Sequence, residues 1–369
     1  MQYQPEFCVW ETTLACNLAC RHCGSSAGKP RDNELDTREA LGLVEALADL
    51  GTKEITFSGG ELFLRPDWRE LMTRAGELAM SSLVVSNGLA ITREVANELA
   101  RQGVGSVSLS VDGGERVHNW LRPVNTLLAS ELSGPTGAAG ASSHQQVHWA
   151  IGNLKAAGVT VSAITQVSMA NLSELPAIYD FLVAHEIDGW QVQMTNPMGR
   201  SVGPDGGQRV PVLTPEDLPK LYAFIRHVQE EDQVRCLAAD CIGYYGNDEP
   251  LLRSIERPND NFWQGCQAGM RVVGITSDGG VKGCLSMPDD YLEGNIRERP
   301  LRDIWQDDDA FAYNRKFSAD SLTGRCDGCV FGRLCRAGCH SFAATAQDGD
   351  ISHYDYCIRL LAPETPPGG

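Results

Sequence analysis

The sequence predicts an α/β protein: a partial (β/α)6 barrel over residues 1–213, a bridging helix and linker over 214–261, and a small cysteine-rich domain over 262–369. Three observations predict it. Short β-rich runs alternate with amphipathic helical stretches as far as Met194. Three cysteines stand within eight residues, directly after the first of those runs. Seven of the thirteen cysteines lie beyond residue 260. Alternation of strand and helix implies parallel β/α units, and about six of them make an arc smaller than the complete eight-unit TIM barrel.

The elements follow in order. Phe7 to Thr12 reads as strand one and feeds the cysteine loop. Asp36 or Thr37 caps a helix through about Leu50, with Leu41, Val44, Leu47 and Leu50 on one face. Glu54–Phe57 is strand two, and Pro66 opens helix two at a position where a missing N–H costs nothing. Leu83–Val85 is strand three, residues 91–102 a helix, and Ser106–Val111 strand four. Residues 146–157 are helical, Thr160–Val167 is strand five, 172–185 a helix, and Trp190–Met194 strand six. Residues 125–145, rich in Gly, Ala and Ser, suit a flexible loop or lid. Residues 199–213 read as another loop. Thr214 caps and Pro215 opens the helix that bridges to the C-terminal domain.

Composition narrows the function. A formal charge of −17 argues against nucleic acid, because phosphate binding needs clustered Lys and Arg. It suits a basic peptide substrate, or simply a solvated acidic surface. No stretch approaches the roughly 18 apolar residues of a membrane span, and the first residues carry no signal-peptide pattern. Thirteen cysteines in such a chain read as metal ligands rather than disulfides, which places the protein in the cytoplasm.

The loop itself reads Cys16-Asn17-Leu18-Ala19-Cys20-Arg21-His22-Cys23, a C-x3-C-x2-C spacing. Soft thiolates select zinc, copper(I) or iron–sulfur clusters. Zinc prefers four protein ligands, and His22 would have to reach round from inside the loop to be the fourth. A [4Fe–4S] cluster on three thiolates leaves one iron open to a small molecule. In this spacing the chain resembles the radical S-adenosylmethionine (SAM) enzymes. The resemblance implies that Cys16, Cys20 and Cys23 hold the cluster, that its open iron chelates SAM, and that reduction gives a 5′-deoxyadenosyl radical which abstracts hydrogen. His22 takes the place of the aromatic residue that packs near the adenine in that family.

Phe57-Ser58-Gly59-Gly60-Glu61 closes strand two. Consecutive glycines let backbone approach a ligand, and a carboxylate accepts from an ammonium. The stretch resembles the family's Gly-Gly-Glu motif, so Gly59, Gly60 and Glu61 are expected at the SAM amino group. Asn87 at the end of strand three, and Ser110 and Asp112 at the end of strand four, resemble segments near the SAM ribose and methionine. Arg122 and Gln193 are weaker candidates. No catalytic base or radical quencher is identified.

The later cysteines read Cys266-x12-Gly279-x4-Cys284, then Cys326-x2-Cys329-x5-Cys335-x3-Cys339, then Cys357. This resembles the seven-cysteine pattern of the SPASM domain, which holds two auxiliary [4Fe–4S] clusters. The resemblance implies a distal cluster on Cys326, Cys329, Cys335 and Cys357, and a proximal one on Cys266, Cys284 and Cys339. The proximal cluster is then one ligand short. Cys241, or second Cys236, can reach back to it; otherwise that iron is open, and both cysteines are buried small hydrophobes. Cys8 reads as core. Two zinc knuckles are the alternative for this region.

Enzymes of this resemblance act mostly on peptides or proteins. The expected function is oxidative maturation of a ribosomally made peptide, with thioether or carbon–carbon crosslinks as outcomes. SAM and three [4Fe–4S] clusters are the expected cofactors. Expected partners are the peptide and an external electron donor such as flavodoxin or ferredoxin; since strand one begins by about residue 7, a leader is expected to be bound by a separate protein, by an exposed edge elsewhere, or not at all. Anaerobic sulfatase-type maturation is disfavoured because Leu285, not Asp, follows Cys284. Small-molecule modification is a further alternative. A non-enzymatic multi-cluster electron carrier would need no Gly-Gly-Glu motif.

Overall fold

The structure, a computed structural model, describes residues 3–125, 141–203, 205–253 and 262–361. The loop expected at 125–145 falls, over 126–140, outside the described residues. Six strands run in the expected order: β1 (Phe7–Glu11), β2 (Glu54–Ser58), β3 (Ser81–Ser86), β4 (Ser106–Ser110), β5 (Val161–Val167) and β6 (Gly189–Met194). Between them lie α1 (Thr37–Asp49), α2 (Trp68–Glu77), α3 (Arg93–Arg101), α4 (Glu115–Leu121), α5 (Ser143–Ala156) and α6 (Leu175–Ala184). Helix α4 was not expected from the sequence.

The sheet is wider than six strands. Helix α7 (Leu218–Glu231) leads into β7 (Arg235–Ala238), which pairs in parallel with β6 from Gly189↔Arg235 to Val192↔Ala238. Residues 235–238 of the anticipated bridge therefore extend the barrel. At the other edge β8 (Val272–Ile275) pairs in parallel with β1, from Phe7↔Val272 to Trp10↔Ile275. An antiparallel hairpin adds β9 (Gly280–Lys282) and β10 (Gly294–Asn295). The order is β10-β9-β8-β1-β2-β3-β4-β5-β6-β7. The hairpin is thereby fixed beside the first barrel strand.

Alternation along the strands separates two faces. In β5, Val161, Ala163, Thr165 and Val167 are buried under the helices, while Ser162, Ile164 and Gln166 are only half-buried on the inner face. Helix α1 starts on a capping box: the Asp36 side chain accepts from Glu39 N, and the Glu39 side chain accepts from Asp36 N. Its buried face is Ala40, Leu43, Val44 and Leu47, with Leu41 and Leu50 only packed at the margin. Leu43, Val44 and Leu47, fully buried, contribute about 1.5–3 kcal/mol each. Among the described residues no helix is long and apolar enough to cross a membrane.

Candidate functional site

The cysteine loop leaves the C-terminal end of β1, and its backbone is tied down on three sides. Cys16 N donates to Gly28 O at 2.8 Å, Ala19 N to Pro123 O at 2.8 Å, and Arg21 N to Leu121 O at 2.8 Å. Short α4, ended by Arg122, thus supplies one wall of the loop. The turn after β2 supplies another: Gly60 N donates to Thr13 O at 2.7 Å and Glu61 N to Ala15 O at 2.8 Å. A Cβ on Gly59 would lie 2.4 Å from Thr13 O, and one on Gly60 2.3 Å from Ala15 O. The two glycines are needed for this contact with the loop as well as for any ligand.

These walls enclose a cleft of about 260 Å³ at the C-terminal ends of the strands. Cys16, Cys20, Cys23, His22, Gly59, Gly60, Asn87, Ser110, Arg122 and Leu285 line it, as do Glu11, Gln166, Met198, Arg200 and Ser286, which sequence reasoning had not singled out. Leu285 and Ser286 follow β9, which is carried to this end of the barrel by the pairing of β8 with β1. Gln193 lies outside the lining and accepts from Gln191 Nε2 at 3.0 Å.

Two expectations are corrected. Glu61 does not face the cleft. Its carboxylate is fully buried, with Oε1 accepting from Ser86 Oγ and Oε2 from Asn87 N, each at 2.9 Å. Burial pushes its carboxyl up to about 7, against the pull of those two donors. It positions Asn87, whose Nδ2 donates to Asn17 Oδ1 at 2.8 Å and points to Cys16 Sγ at 3.8 Å. Asp112 likewise stands behind the wall, fully buried. Its Oδ2 accepts from Arg122 Nε at 2.5 Å and lies 3.0 Å from His22 Nε2, and its Oδ1 accepts from Gln166 N at 2.9 Å. Burial alone would raise this carboxyl; the Arg122 and His22 charges outweigh it and hold the group well below its ordinary value. Arg122 Nη1 in turn reaches Cys20 Sγ at 3.7 Å. Asp112 therefore orients His22 and Arg122, which do line the cleft.

The donors present fit a SAM-bearing cluster. Three thiols line the cleft, and burial raises the Cys16 thiol, with Cys20, Glu61 and Cys23 near enough to push it further. Arg200 Nη2 is buried without a hydrogen-bond partner, so one donor beside the cleft awaits an acceptor; His22 Nδ1 is buried and unpartnered as well.

The later cysteines form two groups. Cys326, Cys329, Cys335 and Cys357 line one enclosed, mostly apolar cavity with Tyr244, Tyr245, Phe331 and Tyr354. Cys339 is well away from them in its interactions: burial raises its thiol first, then the nearby sulfurs of Cys241 and Cys266. Cys284 is the sulfur beside Cys266. Arg336, Ala337 and Gly338, with φ of 57°, 58° and 72°, reverse the chain between Cys335 and Cys339 and send the two cysteines to different groups. A non-glycine residue in that conformation costs on the order of 1 kcal/mol. Cys236 belongs to neither group. It pairs opposite Trp190 inside the sheet, its carbonyl accepts from Gln229 Nε2, and burial alone raises its thiol to about 12. Cys8 is buried in β1. Among the described residues no three His, Cys, Asp or Glu side chains converge as around a single ion; a cubane takes one sulfur per iron, so its ligands need not meet at a point.

Residues 10–182 match the Radical SAM superfamily, and residues 266–330 match the SPASM iron–sulfur cluster-binding domain. The chain is 27% identical over 368 residues to the AdoMet-dependent heme synthase of Methanosarcina barkeri, covering 97% of each chain. It is 29% identical over 343 residues to the mycofactocin maturase MftC of Mycobacterium tuberculosis, covering 90% of this chain and 77% of that one. Streptococcus suis SuiB bound to S-adenosylmethionine has the same fold, with a TM-score of 0.71 and 16% identity over 95% of this chain and 76% of its own. A radical SAM domain binds SAM and a [4Fe–4S] cluster, and a SPASM domain binds auxiliary iron–sulfur clusters. The first match spans the C-x3-C-x2-C loop and the second begins at Cys266, so the chain carries a radical SAM domain followed by a SPASM domain.

Proposed function

We propose that the protein is a peptide maturase of the oxidative kind, working at the cleft over Cys16, Cys20 and Cys23. When bound, SAM and the reduced [4Fe–4S] cluster supply a 5′-deoxyadenosyl radical, which takes a hydrogen atom from substrate and is recovered as 5′-deoxyadenosine. His22, oriented by Asp112, flanks the adenine; Ser110 meets the ribose; Gly59 and Gly60 offer backbone to the methionine amino group. Cys326, Cys329, Cys335 and Cys357 hold the distal auxiliary cluster. Cys266, Cys284, Cys339 and Cys241 hold the proximal one. An external carrier such as flavodoxin or ferredoxin supplies the electron.

The assignment of Cys241 rests on its neighbours. Tyr354 Oη donates to Cys241 O at 2.6 Å. The rings of Tyr354 and Tyr244 both press on Gly338, next to Cys339, where a Cβ would meet them at 2.9 and 2.7 Å. Cys241→Ala should change the spectrum of one auxiliary cluster and lower the iron content, and Cys236→Ala should do neither. Iron analysis and electron paramagnetic resonance of the two variants check this; wild-type iron and spectra in Cys241→Ala would leave the proximal iron open.

The observation that carries the peptide reading is the state of the cations in the cleft. Among the described lining residues these are Arg122 and Arg200, with the His22 ring beside them. His22 and Arg122 are held by Asp112, and Arg200 is spent on backbone carbonyls except for one N–H group. A porphyrin bearing several propionates needs charge-assisted partners, and the overall charge of −17 repels it further. A peptide backbone needs none. Leu285 puts an apolar side chain where a sulfatase-type maturase would need a base. The second reading, tetrapyrrole oxidation, is favoured by the 27% identity to heme synthase across 97% of both chains. Reconstituted, reduced enzyme given SAM and either a precursor peptide encoded beside its gene or iron coproporphyrin III separates them. The expected result is a peptide lighter by hydrogen, with 5′-deoxyadenosine rising in step; porphyrin-dependent turnover without peptide turnover would reverse the assignment.

A further inference from the structure

Arg200 lies in the single turn Gly199–Ser201 that follows β6, five strands away from β1 in the sheet. It nevertheless grips the cysteine loop. Its backbone N–H donates to Cys23 O at 2.9 Å, its Nε to Cys20 O at 2.7 Å, and its Nη1 to Ala27 O. Gly199 makes this possible: at φ 57° a Cβ there would lie 2.2 Å from Gly24 O and 2.4 Å from Cys23 O. The turn is flush against the loop, so the guanidinium cannot withdraw. The backbone N–H, Nε and Nη1 are each engaged in this way. Nη2 is buried and has no acceptor, although Arg200 lines the cleft with the three cysteines, His22 and Gly59–Gly60.

A buried guanidinium N–H without an acceptor is costly, and a carboxylate is the acceptor its geometry favours most. We infer that Arg200 is a SAM-binding residue: Nη2 takes a carboxylate oxygen of the methionine moiety while Nε and Nη1 clamp the loop that carries the cluster. This rests on the SAM site proposed above. One side chain then couples the pose of SAM to the placement of Cys20 and Cys23. Lysine keeps the charge but cannot serve two carbonyls and a carboxylate at once.

The test uses holoenzyme and two ligands, SAM and its decarboxylated analogue, titrated against the cluster signal in wild type, Arg200→Lys and Arg200→Gln. The readout is the ratio of the two affinities, which is unaffected by how much of each preparation is loaded. Wild type should prefer SAM, and both variants should lose about tenfold or more of that preference while binding the analogue as wild type does. Iron content reads the clamp separately. A preference for SAM unchanged in either variant, whatever its iron content, overturns the carboxylate assignment and leaves Arg200 a clamp or a donor to cluster sulfide. Wild type that binds neither ligand at a loaded cluster would instead defeat the SAM site itself.

Discussion

Changing Cys16, Cys20 and Cys23 together to alanine should abolish 5′-deoxyadenosine formation and remove about a third of the bound iron, one cluster of three. The chain should still fold. The loop is held by backbone hydrogen bonds from Cys16, Ala19 and Arg21, and by Arg200, none of which uses a sulfur. The cavity lined by Cys326, Cys329, Cys335 and Cys357 is built from other elements and should keep its cluster. Iron analysis and chromatography of the reaction mixture check both halves. Continued 5′-deoxyadenosine formation in the triple variant would mean that SAM is cleaved elsewhere.

Asp112→Ala should cost about 3–5 kcal/mol of stability, because it strips a buried cation of its partner. Asp112 is fully buried, Arg122 is 8% exposed, and the two are joined at 2.5 Å. The variant would also release His22 and the amide of Gln166. Because the Asp112 carboxyl is held below its unfolded-state value, its stabilising contribution is present in full above that value, near pH 4. It is lost only as pH falls through the depressed folded-state value, so the deficit should be complete at neutral pH. Urea unfolding measures it. Replacing Arg122 by Met in the same chain should recover part of the loss, since it removes the unpartnered buried charge. A loss under about 1 kcal/mol, or no recovery, would show that the pair is not what holds this wall of the site.

Local pattern carried much of this fold. Strands β1 to β6 and every helix between them but α4 lie where sequence periodicity places them, α1 starts on the Asp36 cap the sequence shows, and the cysteines announce their chemistry by spacing. Long-range pairing does not announce itself. The four residues of β7 are too short a run to separate strand from linker, and nothing near Val272 signals that β8 will join β1. Helix α4 is seven residues long and its Gly114 cap makes no side-chain hydrogen bond. Side-chain direction was harder still. Glu61 and Asp112 follow motif positions expected at the ligand, yet both turn into the wall, because Ser86, Asn87, Arg122 and His22 offer them more hydrogen bonds there. Arg200 gave no local signal at all: its partners are some 175 residues earlier in the chain, brought to it only when the arc of strands folds round.

The central claim is that a radical formed over Cys16, Cys20 and Cys23 removes hydrogen from a peptide. Its most direct measurement is isotope transfer. A precursor peptide deuterated at its Cα and Cβ positions is incubated with SAM and the reduced holoenzyme, and the 5′-deoxyadenosine is weighed by mass spectrometry. The account predicts 5′-deoxyadenosine carrying one deuterium for each peptide modified. Modified peptide accompanied only by unlabelled 5′-deoxyadenosine, or deuterium transfer from a deuterated iron porphyrin and from no peptide, would contradict it.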